Sequence, residues 1–290
     1  MAQAVRLGAA ADALAALAAS LRLETEHLDA DPAVRRLLAE VTMELLGEGG
    51  AADPAAAVPV VGVARAVLRQ ALDLVEDPGR SGGWDRVDVP LLQSTGRMSM
   101  GIAGAVRAAE RELDGLGEAL AAPGGRFLDV GTGVGWLAVA LAHAYPRLQV
   151  TGIDLFAPSL DLARGNVATE GLADRVTLRQ QDAAELDEAA AYDAVWLPMP
   201  FLRRDAVARV VAAACRALRP GGWLLAGTFT GPGDRLSQLL TDLRTVRSGG
   251  HPWPPDELVA LLCDAGLAGA REVTRTWAAP VRLWAARRPR

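Results

Sequence analysis

The chain has 290 residues, 51% of them hydrophobic, and a formal net charge of −5 at pH 7. With a mean hydropathy of +0.17 and a pI near 5.3, it can bury a sizeable core, which excludes extensive disorder, and its acidic balance argues against a nucleic-acid partner. No apolar run reaches spanning length and the N-terminus lacks a basic-then-apolar leader, so a soluble cytoplasmic protein without membrane contact is expected.

The first 80 residues show helical periodicity only. Apolar positions three and four apart predict helices in "ADALAALAASLRLE" and "DPAVRRLLAEVTMELLG". The second opens on Asp31 as N-cap with Pro32 at the first helical position, and stops at Gly47. "GEGGAADP" reads as a linker, and a further helix is expected after Pro59. Residues 1–80 thus form a helical N-terminal domain. Residues 81–121 read as a linker with a lid helix, in which "LLQSTGRMSMGIAGAVRAAERELDGL" is a loop entering a helix that ends near Gly115.

After Ala121 the period changes. The strand candidates "RFLDV", "LQVTGID", "RVTLRQQ", "DAVWLP", "GWLLAGTF", "AREVTR" and "VRLWAARR" alternate with amphipathic helical stretches, including a short one at "AAELDEAA". The expected fold class is α/β: a doubly wound, mostly parallel seven-stranded sheet over 122–290 with an antiparallel last strand, preceded by a helical region. Cys215 and Cys263 sit within apolar helical patterns and read as small buried hydrophobes without metal or disulfide spacing. All 30 basic residues are Arg, which excludes lysine Schiff-base chemistry and the P-loop lysine.

The stretch "FLDVGTGVGWLA" joins the first strand of this region to its helix. Gly131 allows a sharp turn, Gly133 lets backbone approach a ligand, and Gly135 permits close packing at the helix start. Free N–H groups there favour an anionic or carboxylate group. A dinucleotide fingerprint would need its third glycine at position 136, where the chain has Trp136. Asp129 precedes the first glycine by two residues.

With "VTGIDLF", "RQQDAA", "YDAVWLP" and "RALRPGGWLLAG" following in order, residues 126–290 resemble the class I S-adenosylmethionine (SAM)-dependent methyltransferases. The resemblance implies SAM as cofactor. It places Asp129, Gly131, Thr132 and Gly133 beside the methionyl end, with Asp129 suited to the ammonium group. Asp154 accepts from both ribose hydroxyls, with Leu155 along the adenine or ribose. Asp182 and the Ala183 N–H meet the adenine, and Leu197 and Pro198 lie next to the methyl group. "RPGG" from Arg219 is expected to turn a helix into the fifth strand.

For the acceptor, "LPMPFL" lacks the [DN]-P-P-[YFW] motif of amino-methylating DNA enzymes. Met199 and Phe201 read as pocket walls or as core, and Trp136 as a packing residue or a substrate contact. Among the three histidines, His27 reads as solvated on a charged helix and His143 as a helix C-terminal residue. His251, in "RSGGHPWPP", is either structural or the general base for a hydroxyl acceptor, with Trp253 beside it to stack on that acceptor. Arg97 and Met98 belong either to a linker helix or to a lid, with Arg97 near the SAM carboxylate and Met98 toward substrate. No metal-ligand cluster is visible, so metal-independent transfer is expected.

The function expected is methylation, on oxygen for preference, of a small organic acceptor, a specialised metabolite. Pairing of two copies through the N-terminal helices is a further expectation. The alternatives are a SAM-binding catalyst that does not methylate, such as a cyclase, or a scaffold, and an NAD(P)-dependent oxidoreductase, which Trp136 opposes.

Overall fold

The computed structural model describes residues 2–47, 54–83, 88–230 and 233–290. The body of the expected linker "GEGGAADP" lies outside them, as does part of the loop-rich stretch before residue 88. The chain divides into two compact units, one of residues 1–79 and 89–98, the other of 80–88 and 99–290.

The first unit holds α1 (Ala2–Thr25), α2 (Pro32–Leu46), α3 (Pro54–Glu76) and the first half of α4 (Val89–Ala109). Asp31 caps α2 as expected, its carboxylate accepting from the N–H groups of Ala33 and Val34 at 2.8 and 3.3 Å, and Gly47 closes the helix at φ +78°. α3 begins at Pro54, five residues earlier than expected, because Pro54 sits at N1 and an alanine run carries the helix through Pro59. α4 likewise starts before its expected onset. "LLQSTGRMS" is helical, with the Ser94 hydroxyl donating to the Pro90 carbonyl at 2.7 Å instead of competing for other backbone. Leu21 and Val61 pack together within this unit. α2 buries none of its residues. His27 is exposed in the turn beyond α1, at φ +51°, and not on a helix.

The second unit continues α4 and adds α5 (Leu116–Ala121), β1 (Arg126–Val130), α6 (Trp136–Ala144), β2 (Gln149–Asp154), α7 (Ala157–Thr169) and β3 (Val176–Gln180). β4 (Tyr192–Pro198), α8 (Arg204–Ala217), β5 (Leu218–Phe229), α9 (Arg235–Arg247), α10 (Pro255–Asp264), β6 (Ala268–Glu272) and β7 (Val281–Arg287) follow. The strands form one sheet in the order β3-β2-β1-β4-β5-β7-β6. Neighbours are parallel from β3 to β5, and β7 runs antiparallel to both β5 and β6. This is the α/β fold expected, with its antiparallel last strand.

β1 and β4 are buried along almost their whole length, as central parallel strands covered on both faces must be. From β1 the chain proceeds outward to β2 and β3, then returns to β4 on the other side. The strand order therefore reverses between β1 and β4, and a crevice opens outside their carboxyl ends.

Three sequence expectations are corrected. "RPGG" lies inside β5, where Gly221 at φ +82° accompanies the register shift between Tyr192 and Ala194, and is not a turn before the strand. "AAELDEAA" supplies one 3-10 turn, Ala183–Glu185. Cys263 is exposed and Cys215 half-buried, because α10 turns Leu258 and Leu262 inward and leaves Cys263 on the solvent side. Among the described residues no helix is long and apolar enough to cross a membrane.

Candidate active site

The site grows from the end of β1. Asp129 is 1% exposed, and its Oδ2 accepts from the Thr132 hydroxyl at 2.7 Å. Gly131, Gly133 and Gly135 all hold the left-handed conformation, at φ +64°, +55° and +81°. A Cβ on Gly131 would press on Pro198 at 3.1 Å, and one on Gly135 on Ala163 of α7 at 3.1 Å, whereas Gly133 has nothing within 4 Å. The bend is thus packed at both ends and open at its middle, where a ligand can approach the backbone.

Asp154, at the end of β2, closes the bend. Its Oδ2 accepts from the Gly133 N–H at 2.7 Å and its Oδ1 from the Phe156 N–H at 2.8 Å. Each carboxylate oxygen retains a second acceptor position, enough for two ribose hydroxyls. The Gln181 N–H donates to the Asp154 carbonyl at 3.0 Å, tying the loop after β3 to the same corner. There Asp182 caps the 3-10 turn through Ala184 N–H at 2.8 Å, with Ala183 buried beside it. Leu155 is 64% exposed at the rim.

At the end of β4, Pro198 meets the glycine bend. Leu197 faces the opposite way, wholly inside the core with Val130 and Val195, and offers no ligand-facing surface. Trp136 is 5% exposed in the first turn of α6. Arg97 is exposed and Met98 half-buried, both on the part of α4 that belongs to the first unit.

Burial pushes the Asp129 carboxyl up to about 7; the Thr132 hydroxyl partly offsets this, and the nearby Asp154 charge adds to it. Burial also raises Asp154, against the pull of the Phe156, Gly133 and Leu155 N–H groups. Two partly uncompensated carboxylates and an open glycine backbone suit a ligand that brings an ammonium group and vicinal hydroxyls, as SAM does. Because the ammonium favours ionised Asp129, SAM affinity is expected to rise by up to about tenfold per pH unit below 7 and to level off above it. Calorimetric titration across this range checks the rise, which Asp129→Asn should flatten. The same raised value means that the folded state holds a proton the unfolded chain has lost. This group's contribution to ligand-free stability therefore falls as pH rises from 3.8 to about 7.

A cavity of about 250 Å³ lies beyond the end of β4, lined by Met199, Phe229, His251 and Trp253 and by one face of α9. It brings together three of the expected acceptor residues, Met199, His251 and Trp253. Phe201 is not in the lining but meets Phe229, which is, edge-on at 5.8 Å. The His251 and Trp253 rings meet edge to face at 4.9 Å. Burial and the charge of Arg204 lower the His251 pKa, against the opposing pull of Glu257. Sequence reading missed Thr228, Phe229 and the α9 wall, although polar residues at 238, 241, 242 and 245 repeat at helical spacing.

Residues 127–222 match the family model described as a methyltransferase domain. A release factor glutamine methyltransferase from Rhodopirellula baltica is 36% identical over 131 residues, 44% of this chain and 43% of that protein. Aclacinomycin 10-hydroxylase RdmB from Streptomyces purpurascens is 40% identical over 154 residues, 51% of this chain and 41% of that protein. The chain thus spans less than half the length of these curated relatives. In structure, human N-acetylserotonin methyltransferase in complex with SAM matches at a TM-score of 0.68 and 16% identity, covering 99% of this chain and 98% of that one. The matched segment contains the glycine bend, Asp154, Asp182 and Pro198. Residues 127–222 thus match a methyltransferase domain, on a fold shared with a solved methyltransferase that binds SAM, and SAM is the cofactor these similarities support.

Proposed function

We propose that the chain methylates an oxygen of a small organic acceptor, a specialised metabolite, with SAM as donor. One observation carries this reading: β4 ends with Pro198 against the glycine bend and Met199, the next residue, in the wall of the cavity that holds His251. Cofactor and acceptor spaces are therefore one residue apart. SAM supplies, when bound, a methyl group already activated by a positively charged sulfur. Asp129 and Asp154 hold its ammonium and ribose, Asp182 and Ala183 border its adenine, and Pro198 and Met199 fix the spacing to the acceptor. Phe201 backs the pocket and Trp136 stiffens the bend.

His251 receives the acceptor's hydroxyl proton on a ring nitrogen. Its lowered pKa keeps the imidazole neutral at pH 7, the form a base requires. His251→Ala is expected to reduce kcat by about 100-fold or more while leaving the SAM dissociation constant unchanged. The wild-type rate should hold until pH falls below the ordinary histidine range. Turnover assays over pH check both, and an unaltered kcat removes the base assignment.

The N-terminal helices pair two copies. The exposed Val34, Leu37 and Met43 of α2 support the pairing. The free thiols of Cys215 and Cys263 fit a cytoplasmic location. A second reading, a SAM-binding catalyst that does not methylate, is favoured by the relative named as a hydroxylase. Product formation with SAM bound and no S-adenosylhomocysteine released would select it.

A further inference from the structure

The tetrapeptide Arg-Ser-Gly-Gly occurs twice, at residues 80–83 and 247–250, and the two copies pack against each other. The second copy ends α9 in a Schellman motif. Gly249 takes the left-handed position at φ +90°, its N–H donates to the Val246 carbonyl at 3.0 Å, and the Gly250 N–H donates to the Thr245 carbonyl at 3.1 Å. The first copy crosses this turn, where the Gly83 N–H donates to the Arg247 carbonyl at 3.1 Å.

Neither Gly82 nor Gly250 has a left-handed φ, so space alone requires glycine there. A Cβ on Gly82 would fall 2.1 Å from the Val246 carbonyl oxygen and 3.0 Å from the Gly249 nitrogen. One on Gly250 would fall 2.2 Å from the Pro200 carbonyl oxygen and 2.9 Å from that of Met199. Three stretches of backbone, 82–83, 246–250 and 199–200, therefore meet directly at these glycines. Each contact would have to open by about 1 Å to admit a methyl group.

His251 is the next residue. Its ring lies between the acceptor cavity and a second space of about 300 Å³, bordered by Gly82, Arg204, Gly249 and Gly250. Among the described residues no hydrogen bond orients the imidazole, whose ring contact is the edge-to-face one with Trp253 at 4.9 Å. A base without a hydrogen-bonded orienting group depends on the backbone that carries it. Met199, in the same cavity wall, is carried by the turn that Gly250 touches.

We infer that Gly82 and Gly250 are positioning residues: the backbone clasp they permit sets the place of His251, and its separation from Met199, without a side-chain partner. Its bearing on catalysis rests on the reading of His251 as the base, whereas its hold on the ring does not.

The test follows the His251 imidazole of the full chain over pH by 1H–13C NMR, assigned among the three histidines through His251→Ala. Circular dichroism checks folding, and calorimetry measures SAM affinity. In the wild type, burial and Arg204 lower the His251 pKa and Glu257 opposes them, while Asp242 and Arg282 stand in the same cavity wall. Gly82→Ala and Gly250→Ala are each expected to shift the ring signals and return the pKa toward the ordinary histidine range. Both should keep SAM affinity within about twofold, since neither touches the glycine bend. Gly79→Ala, three residues earlier with nothing within 4 Å of the added carbon, should leave the ring unmoved. Gly152→Ala, which crowds Thr132 in the glycine bend, should weaken SAM binding with the His251 signals unchanged. Ring signals unmoved in either clasp variant, or moved equally by Gly79→Ala or Gly152→Ala, overturn the inference. Loss of SAM affinity along with the ring shift overturns it too, as general damage. Moved ring signals beside an unaltered kcat in His251→Ala leave the clasp standing and remove its catalytic bearing. A wild type that binds no SAM removes the methyl-transfer reading and leaves the ring comparison intact.

Discussion

Asp154→Ala is expected to raise the SAM dissociation constant by about 100-fold or more. The carboxylate accepts from the Gly133 and Phe156 N–H groups at 2.7 and 2.8 Å, and in the proposed function its oxygens also receive the ribose hydroxyls. Alanine removes the ribose acceptors and leaves two part-buried N–H groups unpaired, each loss worth about 1–3 kcal/mol. Asp154→Asn should be nearly as damaging, since an amide turns one of its two positions from acceptor to donor, facing either Gly133 N–H or Phe156 N–H. Glutamate at the same position keeps the charge but overreaches the bend. Calorimetric titration of SAM into the three variants, beside circular dichroism for folding, checks the order. An unchanged affinity in Asp154→Ala would remove the ribose assignment.

Gly152→Ala is the second large effect, and it reaches the site through packing. Gly152 lies in β2 opposite Asp129 of β1. A Cβ there would fall 2.7 Å from Thr132 Oγ1 and 2.9 Å from Thr132 Cβ and Cγ2, all closer than atoms pack. Thr132 is fixed by its own N–H, which donates to the Ile153 carbonyl at 3.0 Å, and by its bond to Asp129. Relief must come from the glycine bend itself. The substitution should cost about 2–3 kcal/mol and lower Tm by roughly 5–10 °C. It should also weaken SAM binding, because Thr132 is the hydroxyl partner of Asp129. Gly165→Ala, in α7 with nothing within 4 Å of the added carbon, is the matched control, expected to leave Tm equal or slightly raised. Differential scanning calorimetry of the pair distinguishes a slot shaped for Thr132 from a general dislike of larger residues.

Much of the fold was legible in the sequence because the local signals agree with the tertiary structure. The Asp31–Pro32 cap and the Gly47 stop mark α2 at both ends, and the buried runs of β1 and β4 stand out against amphipathic helices. α4 was misread at its start because Ser94, Thr95 and Gly96 look like loop residues. The Ser94 hydroxyl is absorbed within the helix by its bond to the Pro90 carbonyl. Leu197 was grouped with Pro198 as a ligand neighbour because the two are adjacent. Strand alternation separates them, one to the core and one to the bend.

The corner proposed for the cofactor was legible in the sequence as a place, because its parts are motifs at strand ends: the glycines after β1, Asp154 ending β2, Asp182 after β3. The cavity proposed for the acceptor was legible only in part, through Met199, His251 and Trp253. Its wall combines Met199, Phe229, one face of α9 and the His251 loop, brought together only by the parallel sheet, which collects the carboxyl ends of strands distant in sequence. α9 misleads further, since its leucine stripe looks like the buried side of an ordinary amphipathic helix and is in fact the exposed one.

A crystal structure of the chain with S-adenosylhomocysteine tests the central claim most directly. The account predicts both ribose hydroxyls on the Asp154 carboxylate, the Gly133 N–H still bonded to it, and the ligand's ammonium turned toward Asp129. A nucleoside bound elsewhere on the sheet, or Asp154 swung out to solvent with the ligand in place, would contradict it.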